Sequence, residues 1–221
     1  MNNEVDRIKI IIIGEAGVGK TCIIKKFISD EYNENELPTG SLSFASKNIN
    51  IIDNNNNEKE LKLEVWDTVG QEKYKAMAQI FFKNSNAVVL VYDITNKDSF
   101  EELTTYWVEK IKEYKSNNLI LAIAGNKSDL YFKEQIREED GRIFAKKIDA
   151  IYRLTSAKNG EGIKELFNEI GKKYFMKKNN NDNNNNNNEN EDDNKKNIVL
   201  TNSNVNKKND VIIKEGKKCK C

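Results

Sequence analysis

The stretch that most restricts folding is "IKIIIIGEAGVGKTC", residues 8–22. Its β-branched run is stiff at χ1 and fits a pleated strand. Apolar on both faces, such a strand has to lie inside a sheet covered from both sides. The run stops at Gly14, and a helical pattern takes over from about Gly19 to Ile28. Between them "GEAGVGKT", Gly14–Thr21, has the spacing G-x-x-x-x-G-K-S/T. A loop of this kind turns its backbone N–H groups and a helix N-terminus inward, where they bind phosphate oxygens. Gly17 and Gly19 allow the backbone angles and the close approach. Lys20 is expected to reach β- and γ-phosphates, and the Thr21 hydroxyl to ligate Mg²⁺. Ala16, Val18 and Cys22 complete the expected nucleotide contacts. The competing reading is a glycine-rich turn that matches by chance, and the strand-loop-helix context speaks against it. The loop indicates a nucleoside triphosphate and leaves the base open.

Strand and helix patterns alternate through residue 176. Strands are expected over 8–14, 43–52, 59–67, 86–94, 118–126 and, more weakly, 148–157. Helices are expected over 71–83, 98–115, 134–147 and 161–176. Polar "DNNNNE" (53–58) makes 43–52 and 59–67 an antiparallel hairpin. This alternation predicts an α/β domain: a six-stranded, mostly parallel sheet with one antiparallel strand and about five helices. The domain is expected to span 1–178. Beyond it "NNNDNNNNNNENEDDN" (179–194) opens a low-complexity stretch almost without apolar residues. Such a segment cannot offset its ordering entropy by burial, so 179–221 is expected to be disordered.

Two further motifs bear on the nucleotide. "GNKSDL", Gly125–Leu130, follows a buried strand at the carboxyl edge, where ligands bind in open α/β sheets. An ionised Asp129 can accept two hydrogen bonds at once, matching the adjacent N1–H and N2–H₂ donors of guanine, a pair adenine lacks. Asn126 and Lys127 would hold the loop and cover the base. "TSAK" ends the sixth strand, and Ser156, Ala157 and Lys158 would present backbone N–H groups to the guanine oxygen. Taken alone, N-K-x-D also reads as a polar turn. "WDTVGQE" (66–72) places Asp67 at a strand end, where it would hold Mg²⁺ through a water. Gly70 would bring its N–H to the γ-phosphate, and Gln71 would orient an attacking water. Thr39, in "LPTGSLSF", can place its hydroxyl on Mg²⁺ only while the γ-phosphate is present, so that its loss releases both loops. The competing reading for Asp67 and Gln71 is a solvated strand end.

Composition removes several other chemistries. The chain has no histidine and three cysteines, which argues against a zinc site or a histidine-based triad. Residues 177–221 hold 10 of the 36 Lys+Arg and 7 of the 35 Asp+Glu, leaving 26 against 28 in the preceding part. A near-neutral folded part argues against nucleic acid as the main partner. No signal peptide or membrane span is visible, so a cytosolic protein is expected. The chain ends in "EGKKCKC", with six lysines and two acids over 207–220.

The four motifs, in this order and spacing, resemble the Ras superfamily of small GTPases over about residues 6–176. Within it the chain is most similar to the Rab family. "WDTVGQEKY" resembles W-D-T-A-G-Q-E-R-Y, "VVLVYDIT" with "SFEEL" resembles the Rab strand and following helix, and "KKCKC" resembles the Rab C-x-C prenylation signal. "NLILAIAGNKSDL" leans towards the endosomal Rab branch. The resemblance implies a P-loop small-GTPase fold, GTP or GDP with Mg²⁺, and slow hydrolysis with Gln71 as the catalytic residue. It places Tyr32 against the guanine, Phe44, Trp66 and Phe81 as an effector-facing aromatic triad, and two prenyl groups on Cys219 and Cys221. Plain interior packing explains each of the three aromatics equally well, and an exposed thiol pair is the bland reading of the cysteines. Two lipid chains with a polybasic patch would anchor the protein stably. Implied partners are effectors, an exchange factor, a GAP, a prenylation escort and a GDP-dissociation inhibitor. The implied state is a monomer cycling between cytosol and an endomembrane.

Departures from the family pattern matter. Val69 stands where alanine is usual, and "PTIG" has become "PTGS", with Gly40 for a buried isoleucine and Ser41 for a glycine. A misplacement of about 1 Å can cost about 10²-fold in rate. Neither switch offers an arginine, so a GAP would supply one. The first expectation is therefore a slowly hydrolysing Rab-like switch. The alternatives are a GTP-binding scaffold with negligible hydrolysis and, if Asp129 is incidental, an ATP-dependent P-loop kinase.

Overall fold

Strand β1 (Asp6–Ile13) is the centre of the architecture because its apolar residues alternate between two cores. It pairs in parallel with β3 (Glu58–Asp67) on one side and β4 (Ala87–Asp93) on the other. With β2 (Ser43–Ile52), β5 (Ile120–Asn126) and β6 (Ala150–Thr155) the sheet order is β2-β3-β1-β4-β5-β6. Only the β2–β3 pair is antiparallel. This is the six-stranded, mostly parallel sheet that the sequence pattern predicts. The computed structural model describes residues 5–37, 39–40, 43–52, 56–67, 82, 84–114 and 118–180. The chain separates into two units, Met1–Lys178 and Asn179–Cys221, and the sheet with its cores belongs to the first. Among the described residues, no helix is long and apolar enough to cross a membrane.

One face of the sheet packs Ile8, Ile10 and Ile12 under α1 (Lys20–Ser29) and the last described helix, α5 (163–180). There the Phe27 and Phe167 rings stack with centroids 3.9 Å apart. The other face packs Ile11, Ile13, Val88 and Leu90. Its cover is α2 (Lys97–Glu102), a π turn (Leu103–Trp107), α3 (Val108–Tyr114) and α4 (Glu138–Lys147). Strands β4 and β5 are buried at every residue, which explains their continuous apolar runs.

Two expected helices differ from what forms. The one over 98–115 is broken by the π turn, where the Thr104 and Thr105 hydroxyls both donate to Glu101 O, at 3.0 and 2.8 Å. Such back-bonding competes with the main-chain ladder and widens it. The helix expected from 134 begins only at Glu138. The N–H groups of Gln135 and Ile136 instead donate to Ile94 O beyond the end of β4, holding the chain extended there. The helix expected over 71–83 falls almost wholly outside the described residues. The last helix runs on to residue 180, into the stretch expected to be disordered, and the rest of that stretch, 181–221, lies outside the described residues.

A buried polar pair fixes how β4, β5 and β6 meet α4. The Tyr92 and Tyr152 hydroxyls are 3.0 Å apart inside the second core. Burial pushes both phenols above their ordinary range, so they stay neutral. Gly125 and Gly141 make the space, since a Cβ on either would stand 2.8 or 2.7 Å from the Tyr92 hydroxyl. Tyr92→Phe leaves Tyr152 without its partner and is expected to cost about 1–2 kcal/mol. Gly141→Ala is expected to cost about 1–3 kcal/mol by overpacking. Urea unfolding checks both, and unchanged midpoints would contradict this packing.

Candidate functional site

The register aligns Asp67 with Ile12, Asp93 with Asn126, and Asn126 with Thr155. The carboxyl ends of five strands therefore face one region, as ligand sites in such sheets require. A cavity of about 400 Å³ opens there. Of the residues predicted to bind nucleotide, Ala16, Gly17, Gly19, Lys20, Thr21, Cys22, Tyr32, Thr39, Asn126, Lys127, Asp129, Ala157 and Lys158 line it. Val18 and Ser156 are buried outside the lining, and Asp67 is buried where Thr21 and Thr39 meet it.

The loop between β1 and α1 is shaped by its glycines. Gly17 has φ 76°, and Gly19 has φ 95° and serves as the N-cap of α1. A Cβ on Gly19 would lie 2.3 Å from Asn126 Nδ2. No side chain caps α1, so the N–H groups of its first turn and the positive end of its dipole are left for an anion. Lys20 is buried, and its Nζ donates to Gly14 O (2.9 Å) and Glu15 O (2.7 Å). Burial lowers its pKa to about 8, against the opposing pull of Asp67 and Glu15.

Three oxygens converge beside Lys20. The Thr21 hydroxyl donates to Asp67 Oδ2 at 2.7 Å, the Thr21 and Thr39 hydroxyls are 2.5 Å apart, and Thr39 Oγ1 is 3.5 Å from Asp67 Oδ2. Among the described residues Asp67 Oδ1, which is buried, has no hydrogen-bond partner. Burial raises the Asp67 pKa, while the Thr21 hydrogen bond and Lys20 pull it down. An unpartnered carboxylate oxygen beside two hydroxyls is a hard-oxygen donor set of the kind Mg²⁺ takes. Among the described residues no group of three or more His, Cys, Asp or Glu could hold a metal, so the softer, ligand-rich sites have no counterpart.

The far end of the cavity is organised by Asn126. Its Nδ2 donates to Val18 O at 2.7 Å and its Oδ1 accepts from the Thr155 hydroxyl at 3.2 Å. Lys127 has φ 67° and pairs with Asp93 at 2.6 Å. The Ser156 hydroxyl donates to Asp129 Oδ1 at 2.6 Å and fixes the rotation of that carboxylate. Tyr32 is half-exposed at the cavity wall.

A family model described as "Ras family" matches residues 9–176. The chain belongs to the Ras family. It is 38% identical over 167 residues to human Ras-related protein Rab-22A, covering 75% of this chain and 82% of that protein. Mouse Ras-related protein Rab-31 is 39% identical over 166 residues, with the same shares covered. The chain is thus a Rab-like small GTPase, a GTP hydrolase of membrane trafficking. Nothing in these likenesses favours a non-hydrolysing scaffold.

Several expected positions of this Ras-family chain lie outside the described residues: Gly70, Gln71 and Phe81, the departures Ser41 and Val69, and Cys219 and Cys221. Gly40 is described and exposed, and a Cβ there would meet nothing within 4 Å. Phe44 and Trp66 face each other across the β2–β3 pair with ring centroids 5.2 Å apart, Phe44 half-exposed. The motifs did not include Glu36, which lines the cavity and pairs with Lys25 at 2.7 Å. Thr155 opens "TSAK" and Asp93 lies within "VVLVYDIT", but neither stretch gave them the roles seen here, bonding Asn126 and Lys127 at the strand ends.

Lys20 carries a pH signature. With a pKa of about 8 before ligand enters, it is largely charged below pH 8 and loses its proton above. A phosphate brought beside it would favour the charged form and raise the pKa, so binding of a phosphate ligand above pH 8 would take up a proton and weaken as pH rises. Calorimetry of GDP binding in buffers of different ionisation enthalpy should show no proton uptake from this group well below pH 8, and uptake at about pH 8.5. Equal uptake at both would contradict the burial of Lys20.

Proposed function

We propose that this cavity holds GTP or GDP with Mg²⁺, with the phosphates at the α1 end and guanine at the Asn126–Asp129 end. The observation that carries the reading is the meeting of Thr21, Thr39 and Asp67 oxygens beside Lys20, with Asp67 Oδ1 buried and unpartnered among the described residues. Mg²⁺ bound there would neutralise charge on the phosphate oxygens. Lys20 and the α1 N–H groups bind phosphate, and Ala16, Gly17, Val18, Gly19 and Cys22 supply the loop and first turn. Asp129 accepts from guanine, Asn126 and Lys127 hold its loop, and Ser156, Ala157 and Lys158 complete the base pocket with Tyr32. Gly70 senses the γ-phosphate and Gln71 orients the attacking water.

Thr39 gives the switch its logic. Its hydroxyl joins the Mg²⁺ set from a loop, so its grip depends on the γ-phosphate. Effectors then read the GTP state through Phe44, Trp66 and Phe81, and family membership brings an exchange factor, a GAP and a GDP-dissociation inhibitor. Residues 1–178 act as the GTPase domain, and the stretch after the end of α5 acts as a disordered tether. Cys219 and Cys221 carry prenyl groups added with the help of an escort, which take the protein from the cytosol to an endomembrane, by resemblance an endosomal one. The mass of the C-terminal peptide from cells reads the lipids directly.

Single-turnover GTP hydrolysis tests the switch reading. Wild type is expected at about 10⁻³ s⁻¹ or below, as for GTPases without a helper arginine, and Gln71→Leu at a rate too low to measure. Val69→Ala is expected to leave wild-type turnover intact or raise it. Wild type as inactive as Gln71→Leu, with activity restored by Val69→Ala, would overturn the timed switch.

A further inference from the structure

We infer that Asp93 is a positioning residue that holds Lys127 as a wall of the base end of the cavity and thereby slows nucleotide release. The inference rests on the function proposed above and concerns a residue to which the sequence motifs assign no role at the site. Asp93 closes β4 and stands in register beside Asn126, the residue preceding Lys127. It is only 6% exposed, and both carboxylate oxygens are committed. Oδ1 accepts from the Thr95 N–H at 2.8 Å and the Thr95 hydroxyl at 2.7 Å. Oδ2 faces Lys127 Nζ at 2.6 Å. The Asp93 N–H in turn donates to Ser99 Oγ at 3.1 Å. The turn after β4 thus fixes the carboxylate independently of Lys127.

Lys127 needs such an anchor. Its φ of 67° and ψ of 37° are left-handed, a conformation a side chain-bearing residue keeps only where its surroundings over-determine it. Two contacts do so: Leu130 N–H donates to Lys127 O at 2.8 Å, and Asp93 takes the ammonium. With Nζ held at Asp93, the methylene stem is the part of Lys127 left to line the cavity. A hydrocarbon stem suits the face of a purine ring, whereas an unheld ammonium would be drawn to the phosphates. Because Asp93 is buried, deleting either partner leaves the other charge uncompensated or unanchored.

Release of a fluorescent GDP analogue from the full chain, with Mg²⁺ and excess unlabelled GDP, tests this. Asp93→Asn and Lys127→Met, the second keeping a long apolar stem without charge, are each expected to speed release about tenfold. Combined, they should release no faster than the quicker single variant. Thr95→Val, which removes a hydroxyl from the other carboxylate oxygen, should change little. A combined effect equal to the product of the singles would overturn the inference. So would Thr95→Val releasing as fast as Asp93→Asn, because Asp93 would then act through its turn. Thr95→Val and Lys127→Met keep the test open if Asp93→Asn does not fold. A wild type unable to retain GDP would overturn the proposed site itself, whatever the variants do.

Discussion

The arrangement depends on one buried amide. Asn126 ends β5, and its side chain ties the loop after β1 to the end of β6 through Val18 O and the Thr155 hydroxyl. Three segments far apart in sequence are thereby fixed at one edge of the sheet. Gly19 has to be glycine partly because the Asn126 amide occupies the space where a Cβ would stand. A buried amide with both ends paired is worth more than its hydrogen bonds singly, since losing it would strand two other polar groups. The parallel sheet supplies the platform, and this contact sets the distance between the α1 end of the cavity and its Asn126–Asp129 end.

At the α1 end of the cavity the chain gathers groups that are costly to bury. Lys20 and Asp67 both lie in the interior, and burial drives each towards its neutral form. Their mutual attraction and the Thr21 hydrogen bond offset part of that cost. Asp67 Oδ1, buried and unpaired, is the part left over. A polyphosphate and a hard cation would satisfy both demands together. The site therefore stores a preference for a charged ligand, and filling it should raise the stability of the whole domain by linkage.

Much of this was legible in the sequence, for definite reasons. The sheet showed because Ile10–Ile13, Ala87–Asp93 and Ile120–Asn126 are apolar on both faces, which few other structures permit. The loop between β1 and α1 showed because glycine is needed where φ is positive or a neighbour lies too close, and so it recurs at fixed spacing. The π turn at Leu103–Trp107 did not show, since it depends on two threonine hydroxyls competing for one carbonyl. The late start of α4 did not show either, because Ile94 O captures two N–H groups from a segment 40 residues on. Asp93 was hidden for a similar reason: its meaning lies in Lys127, brought beside it only by the β4–β5 register. Short-range rules find elements and loops, and they miss contacts made across the sheet.

The proposed site selects guanine at one end of the cavity and needs a divalent cation at the other. Its most direct test is equilibrium displacement of a fluorescent GDP analogue by GDP and by ADP, run with Mg²⁺ and again with EDTA. GDP should displace the analogue at near-stoichiometric concentration, while ADP should need about 10⁴-fold more, because in the proposed site the wrong base would leave Asp129 unpaired. Removing Mg²⁺ should weaken retention of GDP. Displacement by ADP at concentrations similar to GDP, or retention indifferent to EDTA, would contradict the account.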